Sequence, residues 1–412
     1  MGNFSQGRRS SRPSAFGGSS NGRKSYHTSS NSSGSRNRST KRRFGQTIDP
    51  KRFVKAAKPV EQKDYVPTHA FSDFAFNDTI KANLESRNYT APSQVQDHAI
   101  QPALDGKDVI GIANTGTGKT AAFLLPTLNK LMANRGEKVL ILAPTRELAL
   151  QIQEESRAFA KGGRLFDVLL IGGTPMNRQL RDLQRRPEII IGTPGRVKDH
   201  MERGTLKLHD VKTIVLDEVD RMLDMGFIND IREILSQLPK DRQSLFFSAT
   251  LSPTIEALIG TFTDQPTTIM ARTSETSDNV EQSIVHYFEK TDKLDKLHDL
   301  LNKQDVDRTL IFCETKRSTE ALSKELVIRG FTSDAMHGNK SQSQRQRALK
   351  KFKDGHVTIL VATDVAARGI DVDNISHVIN YDIPQTYDDY THRIGRTGRA
   401  GTTGNAVTFV TH

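Results

Sequence analysis

From Phe71 onward, short uninterrupted apolar runs alternate with longer amphipathic stretches. Val109-Ile110-Gly111-Ile112 is followed by Val139-Leu140-Ile141-Leu142-Ala143, Val168-Leu169-Leu170-Ile171, Ile189-Ile190-Ile191, Ile214-Val215-Leu216 and Leu245-Phe246-Phe247. Runs with no polar interruption suit strands covered on both faces. The helical stretches between them give a βαβ rhythm, which predicts a doubly wound parallel sheet. Residues 265–283 are polar and irregular and read as a linker. A second series then begins: Ile284-Val285-His286-Tyr287-Phe288, Leu310-Ile311-Phe312, Ile359-Leu360-Val361, Val378-Ile379 and Ala406-Val407-Thr408-Phe409. The predicted fold class is α/β, with two tandem doubly wound parallel-sheet domains over residues 69–275 and 276–412. Ahead of the first strand, Phe74, Ile80 and Leu84 are spaced for one helix face, and Pro92 precedes a second predicted helix.

Composition adds a third region. The 412 residues carry a formal net charge of +11. Residues 1–45 hold ten Arg and Lys with no acidic residue before Asp49, so the remainder is left near +1. This Ser-, Gly-, Asn- and Arg-rich stretch has too little apolar surface to offset its ordering entropy. It is expected to be a disordered basic tail, with a poorly structured connector following to residue 68. Its charge suits an electrostatic tether to nucleic acid, interleaved with Tyr26, His27 and Phe44; the alternative is a solubilising tail with no partner. The single cysteine, Cys313, excludes an intramolecular disulfide and reads as a small core residue. No apolar run is long enough to span a membrane and no apolar signal core opens the chain, so a cytoplasmic location is expected, or a nuclear or nucleolar one if the source is eukaryotic.

Candidate chemistry clusters after the strands, where ligands of such sheets bind. After the first comes Ala113-Asn114-Thr115-Gly116-Thr117-Gly118-Lys119-Thr120, a small-residue turn opening a helix. Such a turn directs backbone N–H groups and a helix N-terminus at phosphate. Lys119 is placed for the β- and γ-phosphates and the Thr120 hydroxyl for Mg²⁺. After Leu216 comes Asp217-Glu218-Val219-Asp220. Asp217 is placed to hold Mg²⁺ through water, and Glu218 to polarise an attacking water. Either feature alone also occurs as a turn that binds nothing; together, about 100 residues apart, they point to phosphoryl transfer. Tyr89 and Gln96, shortly before the phosphate loop, can stack on and pair with a purine, though a structural Tyr and a surface Gln fit their positions too. The second series carries His392-Arg393-Ile394-Gly395-Arg396-Thr397-Gly398-Arg399. Its three arginines, three residues apart, would share one face if helical. They suit either the γ-phosphate in a closed cleft or a nucleic-acid backbone.

In order, these segments resemble the DEAD-box RNA helicases of superfamily two, over about residues 71–412. The matching segments are Phe71 to Gln96, Ala113–Thr120, Pro144–Ala149 (PTRELA), Gly172-Gly173, Thr193–Arg196 (TPGR), Asp217–Asp220, Ser248–Thr250 (SAT), Ile311–Lys316, His337-Gly338 with Gln342 and Arg345, Ala362–Asp371, and His392–Arg399. His392 separates the chain from the DEAH relatives, which carry Gln there. The resemblance implies two RecA-like domains, ATP and Mg²⁺ as cofactors, and RNA as partner. It implies adenine recognition by Phe71, Tyr89 and Gln96, and a triphosphate grip by Thr115, Gly116, Thr117, Gly118, Lys119 and Thr120. It makes Thr120 and Asp217 the Mg²⁺ residues and Glu218 the catalytic base. Asp220, Ser248 and Thr250 would couple hydrolysis to closure, with Asp371 sensing the ribose, His392 organising the cleft, and Arg396 and Arg399 as the finger pair. RNA would lie on Thr145, Arg146, Gly173, Thr193, Gly195 and Arg196 of the first domain, and on His337, Gly338, Gln342, Arg345, Thr363 and Gly369 of the second. The chain departs from the family pattern at Val219, at Pro92-Ser93-Gln94-Val95-Gln96 and at Asn88. Members commonly continue past the equivalent of His412 with a further helix, so the second domain is expected to be trimmed.

The implied activity is ATP-dependent local unwinding or remodelling of RNA by a monomer. The competing readings are an ATP-gated RNA clamp or chaperone with little unwinding, and a DNA translocase.

Overall fold

A computed structural model describes residues 48–57, 65–114, 116–271, 279–367, 372, 374–398 and 402–412, with only the backbone of Asp388. The basic segment 1–45 lies outside them, as do Thr115, Gly369, Asp371 and Arg399. The first apolar series forms β1 (Val109–Ala113), β2 (Lys138–Leu142), β3 (Asp167–Leu170), β4 (Ile189–Gly192), β5 (Val211–Leu216), β6 (Gln243–Ser248) and β7 (Thr267–Ala271). They make one parallel sheet in the order β3-β4-β2-β5-β6-β1-β7. The second series forms β8 (Val280–Tyr287), β9 (Thr309–Phe312), β10 (Ser333–Met336), β11 (Ile359–Ala362), β12 (His377–Asn380) and β13 (Gly404–Thr411). These make a second parallel sheet in the order β10-β11-β9-β12-β13-β8.

The burial explains the apolar runs. In β2, Val139 and Ile141 pack into the helical layer on one face while Leu140 and Leu142 pack into the layer on the other. The second sheet repeats this: Leu310 and Phe312 face one core, Ile311 and Cys313 the other. Cys313 is fully buried, and burial pushes its thiol up, away from the reactive thiolate.

Three expectations need correction. Residues 265–283 are not a linker throughout, because Thr267–Ala271 pairs along β1 as an edge strand. Thr268 and Met270 face outward while Ile269 and Ala271 face the core. Residues 46–68 are not all loose. Pro50–Phe53 is a short 3₁₀ turn with Phe53 fully buried, and Lys55 pairs with Gln282. Tyr65, Thr68 and His69 all donate to the buried Asp97 carboxylate. Burial pushes that carboxyl up, but these hydrogen bonds outweigh it and hold Asp97 below its ordinary value. Phe74 lies before the helix Asp78–Ser86, which buries only Ile80 and Leu84. No helix among the described residues is long and apolar enough to cross a membrane.

The strand that delivers the phosphate loop needs a glycine. A Cβ on Gly111 would stand 2.5 Å from two carbons of the Phe247 ring, and that ring is wedged against Phe123 at 5.4 Å. Gly111→Ala is expected to cost about 1–3 kcal/mol, the usual range for overpacking, measured as a fall in the denaturant midpoint.

Candidate active site and nucleic-acid interface

β6 lies between β1 and β5 in the first sheet. The phosphate loop leaves β1, the acidic segment leaves β5, and Ser248-Ala249-Thr250 leaves β6 between them. Gly116 and Gly118 have φ of +82° and +92°, a region other residues enter at a cost. Gly118 also abuts Gln96, whose amide would collide with a Cβ there. Gln96 braces the loop from the helix Gln94–Leu104. Its Oε1 accepts from Ser93 N at 2.9 Å and its Nε2 donates to Gly118 O at 3.1 Å. Ser93 Oγ donates to Thr117 O at 2.6 Å. Lys119 is buried and donates to Ala113 O at 2.9 Å, inside its own loop; Thr120 follows it in the first turn of the helix Lys119–Ala133. Phe71 and Tyr89 meet edge to face at 5.8 Å, and Tyr89 also meets Phe159 at 5.5 Å.

Asp217, Glu218 and Asp220 are each at most 7% exposed. Burial is the largest influence on Asp217. It pushes the carboxyl up to about 7 against the counter-pull of Lys119, and Glu218 adds to the rise. Glu218 sits at φ +53°, a left-handed conformation costing roughly 1–2 kcal/mol for a residue with a Cβ. Its carboxylate accepts from Arg221 Nη1 at 2.9 Å in a buried pair. Asp220 ties two strand exits together: its Oδ2 accepts from the N–H groups of Ala249 and Thr250, both at 3.0 Å, and from Thr250 Oγ1 at 3.3 Å. Its own N–H donates to Ser248 Oγ at 3.3 Å.

From the second sheet, His392 enters the field of these groups. Burial chiefly, and Arg221 next, hold its imidazole below the ordinary value; Asp220 and Glu218 oppose them. It belongs to the last turn of the helix Tyr387–Ile394. That helix ends before Arg396, so the three arginines do not form one helical row. Arg393 turns inward, with Nε and Nη2 on Asp364 at 2.6 and 2.7 Å and Nη1 on Asp382 O at 2.6 Å. Arg396 is buried just beyond the helix.

A second site adjoins the first. A cavity of about 440 Å³ is lined by Thr145, Arg146, Thr193, Gly195 and Arg196 from the first sheet's loops, and by Gly338 and Arg345 from the second's. Thr145 caps the helix Arg146–Phe159 through Leu148 N at 3.2 Å. The Arg146 guanidinium lies over Gly172 and Gly173, where a Cβ would stand 2.8 and 2.5 Å from its nitrogens. Thr363 follows β11 and is buried. His337 does not line the cavity; its Nε2 lies 3.0 Å from Glu320 Oε2. Two residues with no role assigned from the sequence are central to these two sites. Glu147, inside PTRELA, accepts from Gln342 Nε2 at 3.0 Å and Arg345 Nη2 at 2.8 Å, joining the two sheets' helices. Arg221 follows the acidic box, one helical turn from Glu218. Its position was visible in the sequence; its pairing was not.

A phosphate loop, buried carboxylates and an opposing histidine and arginine on two stacked α/β units define a nucleotide-dependent helicase core. A family model described as DEAD/DEAH box helicase matches residues 93–258, and one described as helicase conserved C-terminal domain matches residues 292–401. The ATP-dependent RNA helicase CshA of Listeria monocytogenes is 44% identical over 342 residues, covering 82% of this chain and 66% of that protein. A solved DEAD box protein from the hyperthermophile Methanococcus jannaschii is 37% identical, covering 84% of this chain and 94% of that one, with a TM-score of 0.50. S. cerevisiae Dbp5 bound to RNA and ADP BeF3 is 29% identical, covering 83% and 90%, with a TM-score of 0.73. The chain belongs to the DEAD-box RNA helicase family, its two sheets are RecA-like, and its acidic box reads DEVD.

The Asp217 shift gives a pH test. Between the ordinary carboxyl value of 3.8 and about 7, the folded chain keeps a proton that the unfolded chain has lost. Asp217 therefore costs increasing stability as pH rises through that window. With no nucleotide or divalent cation added, Asp217→Asn should raise Tm, and by more at pH 8 than at pH 5. The difference should be a few degrees, since about 1 kcal/mol moves Tm by roughly 2–4 °C in chains of 150–250 residues; scanning calorimetry at the two pH values measures it.

Proposed function

We propose that this chain is an ATP-dependent RNA helicase that couples ATP hydrolysis to domain closure on RNA and separates duplexes locally. The observation that carries the reading is the double junction between the sheets. His392 meets the field of Glu218, Asp220 and Arg221 on the nucleotide side, and Glu147 holds Gln342 and Arg345 on the strand side. Lys119 would exchange Ala113 O for phosphate oxygens. Glu218 would accept a proton from the attacking water, with Arg221 orienting its carboxylate. Arg396, with Arg399, would stabilise charge on the transferring phosphoryl group, a contribution of roughly 10³–10⁵ in rate. The Asp220 bonds to Ala249 and Thr250 would carry the change between strand exits.

The donor set fits Mg²⁺. Asp217 is a desolvated carboxylate and Thr120 a hydroxyl next to Lys119 in the phosphate loop, and the described residues hold no group of three or more Asp, Glu, His or Cys side chains arranged to hold a metal ion by themselves. Mg²⁺ is typically bound by one or two carboxylates plus substrate phosphates and water, not by a protein cage. When bound it would neutralise charge between the β- and γ-phosphates.

RNA is supported by the lining of the second site. Arg345 Nε and Gln342 Oε1 are buried there with no hydrogen-bond partner, and Arg146 lies on glycine backbone. A phosphate-and-sugar grip of this kind positions a strand without reading bases. The basic segment 1–45 would add salt-sensitive affinity. We propose a monomer acting in the cytoplasm.

The test is steady-state ATPase activity with and without RNA, beside single-stranded DNA of equal length. RNA should stimulate hydrolysis and DNA should not. Glu218→Gln should lower the stimulated kcat by about 10²–10⁴, the range for a general base, with KM for ATP little changed. Hydrolysis indifferent to RNA would overturn the coupled reading in favour of a clamp. Deleting residues 1–45 should weaken RNA binding most at low salt and leave the unwinding step intact. Annealing that needs the tail and ignores ATP would favour a chaperone.

A further inference from the structure

The segment that precedes the first domain is docked on the second. Asp49 accepts from Lys51 N at 3.0 Å and starts the turn Pro50–Phe53. That turn drives Phe53 into a small cluster with Val280, Tyr390, Ile394 and Ala406, apart from the two main cores of the second sheet. The Phe53 and Tyr390 rings are 4.7 Å apart, and both side chains are fully buried. The Arg52 guanidinium lies 3.8 Å over the Tyr387 ring. Lys55 N donates to Gln282 O at 3.1 Å and Gln282 N to Lys55 O at 2.8 Å. The Gln282 side chain accepts from the Tyr390 hydroxyl at 3.0 Å.

Tyr387, Tyr390 and Ile394 are spaced for one face of a single helix. That helix carries His392 and leads directly to Arg396. It has only two turns, too few to hold its own shape without tertiary contacts. Two contacts fix it: Arg393 on Asp364, Asn380 and Asp382, and the Phe53 cluster on the Tyr390 face. Without the second contact the helix could turn about the first, and His392 and Arg396 would shift together.

We propose that Phe53, assisted by Arg52, is a positioning residue for ATP hydrolysis. It would fix the helix that presents His392 and Arg396 while touching neither nucleotide nor RNA. The inference rests on the helicase reading above. Its mark is a split in the kinetics, because the phosphate loop and Gln96 belong to the other sheet.

The test uses the full chain with RNA-stimulated hydrolysis as readout. Phe53→Ala should lower kcat about tenfold, within the roughly 10²-fold that a 1 Å misplacement can cost. KM for ATP and nucleotide-free RNA affinity should stay within about twofold, and Phe53→Leu should recover most of the rate. Arg52→Ala, at an exposed rim and leaving no core cavity, should lower kcat by a smaller factor, and it decides the matter if Phe53→Ala fails to fold. Unchanged kcat in folded Phe53→Ala and in Arg52→Ala would overturn the proposal. So would a rise in KM for ATP with kcat preserved. A parent chain that shows no RNA stimulation would overturn the helicase reading itself, and this inference with it.

Discussion

Three carboxylates removed from water at the end of one strand set the terms for the rest of the structure. Asp217, Glu218 and Asp220 follow β5 within four residues and are almost inaccessible. Buried negative charge is costly unless it is paired or hydrogen-bonded. The chain meets that demand from separate directions: Lys119 from the loop after β1, Arg221 from the following helix turn, and the N–H groups of Ala249 and Thr250 after β6. Parallel strands with helices on both faces leave the strand ends as the place where so many partners can converge. The order β1, β6, β5 then places Ser248-Ala249-Thr250 between the phosphate loop and the acidic segment.

The strand-side cavity follows a different logic. There the polar groups are already engaged with one another. Glu147 takes two hydrogen bonds from the opposing helix, and Arg146 rests on two glycines whose missing side chains leave it room. Two buried polar atoms, Arg345 Nε and Gln342 Oε1, are left without a hydrogen-bond partner. That small reserve agrees with the near-neutral charge outside residues 1–45.

Much of this was legible from the chain alone. Strands buried on both faces announce themselves as uninterrupted apolar runs, and the residues after them carry the ligand chemistry. What stayed hidden shares a physical cause. β7 and β10 are short edge strands that each open on two polar residues, leaving no long apolar run, so Thr267–Ala271 resembled a linker and Ser333–Met336 carried no strand signal. Arg393 looked equivalent to Arg396 because spacing does not reveal where a helix stops. Glu147 and Arg221 were in plain sight inside quoted or adjacent motifs, but their partners are set by tertiary approach. Phe53 and Val54 are a two-residue apolar patch between Arg52 and Lys55, too short a signal for any periodicity.

The docking of residues 48–57 has a consequence for synthesis. This segment leaves the ribosome before almost all of the described chain, yet its seat is built from β8, β13 and the helix between β12 and β13, all made after the first sheet and the latter two after every other described element. Domains generally fold as units during synthesis, N-terminal first. The first sheet can therefore close while Phe53 still has nowhere to go. Its burial closes a loop nearly as long as the protein, so it comes late and its entropy cost is met only by a finished second sheet. Nascent chains that stall before Ala406 would keep Phe53 exposed, and the N-terminal end would report completion of the C-terminal one.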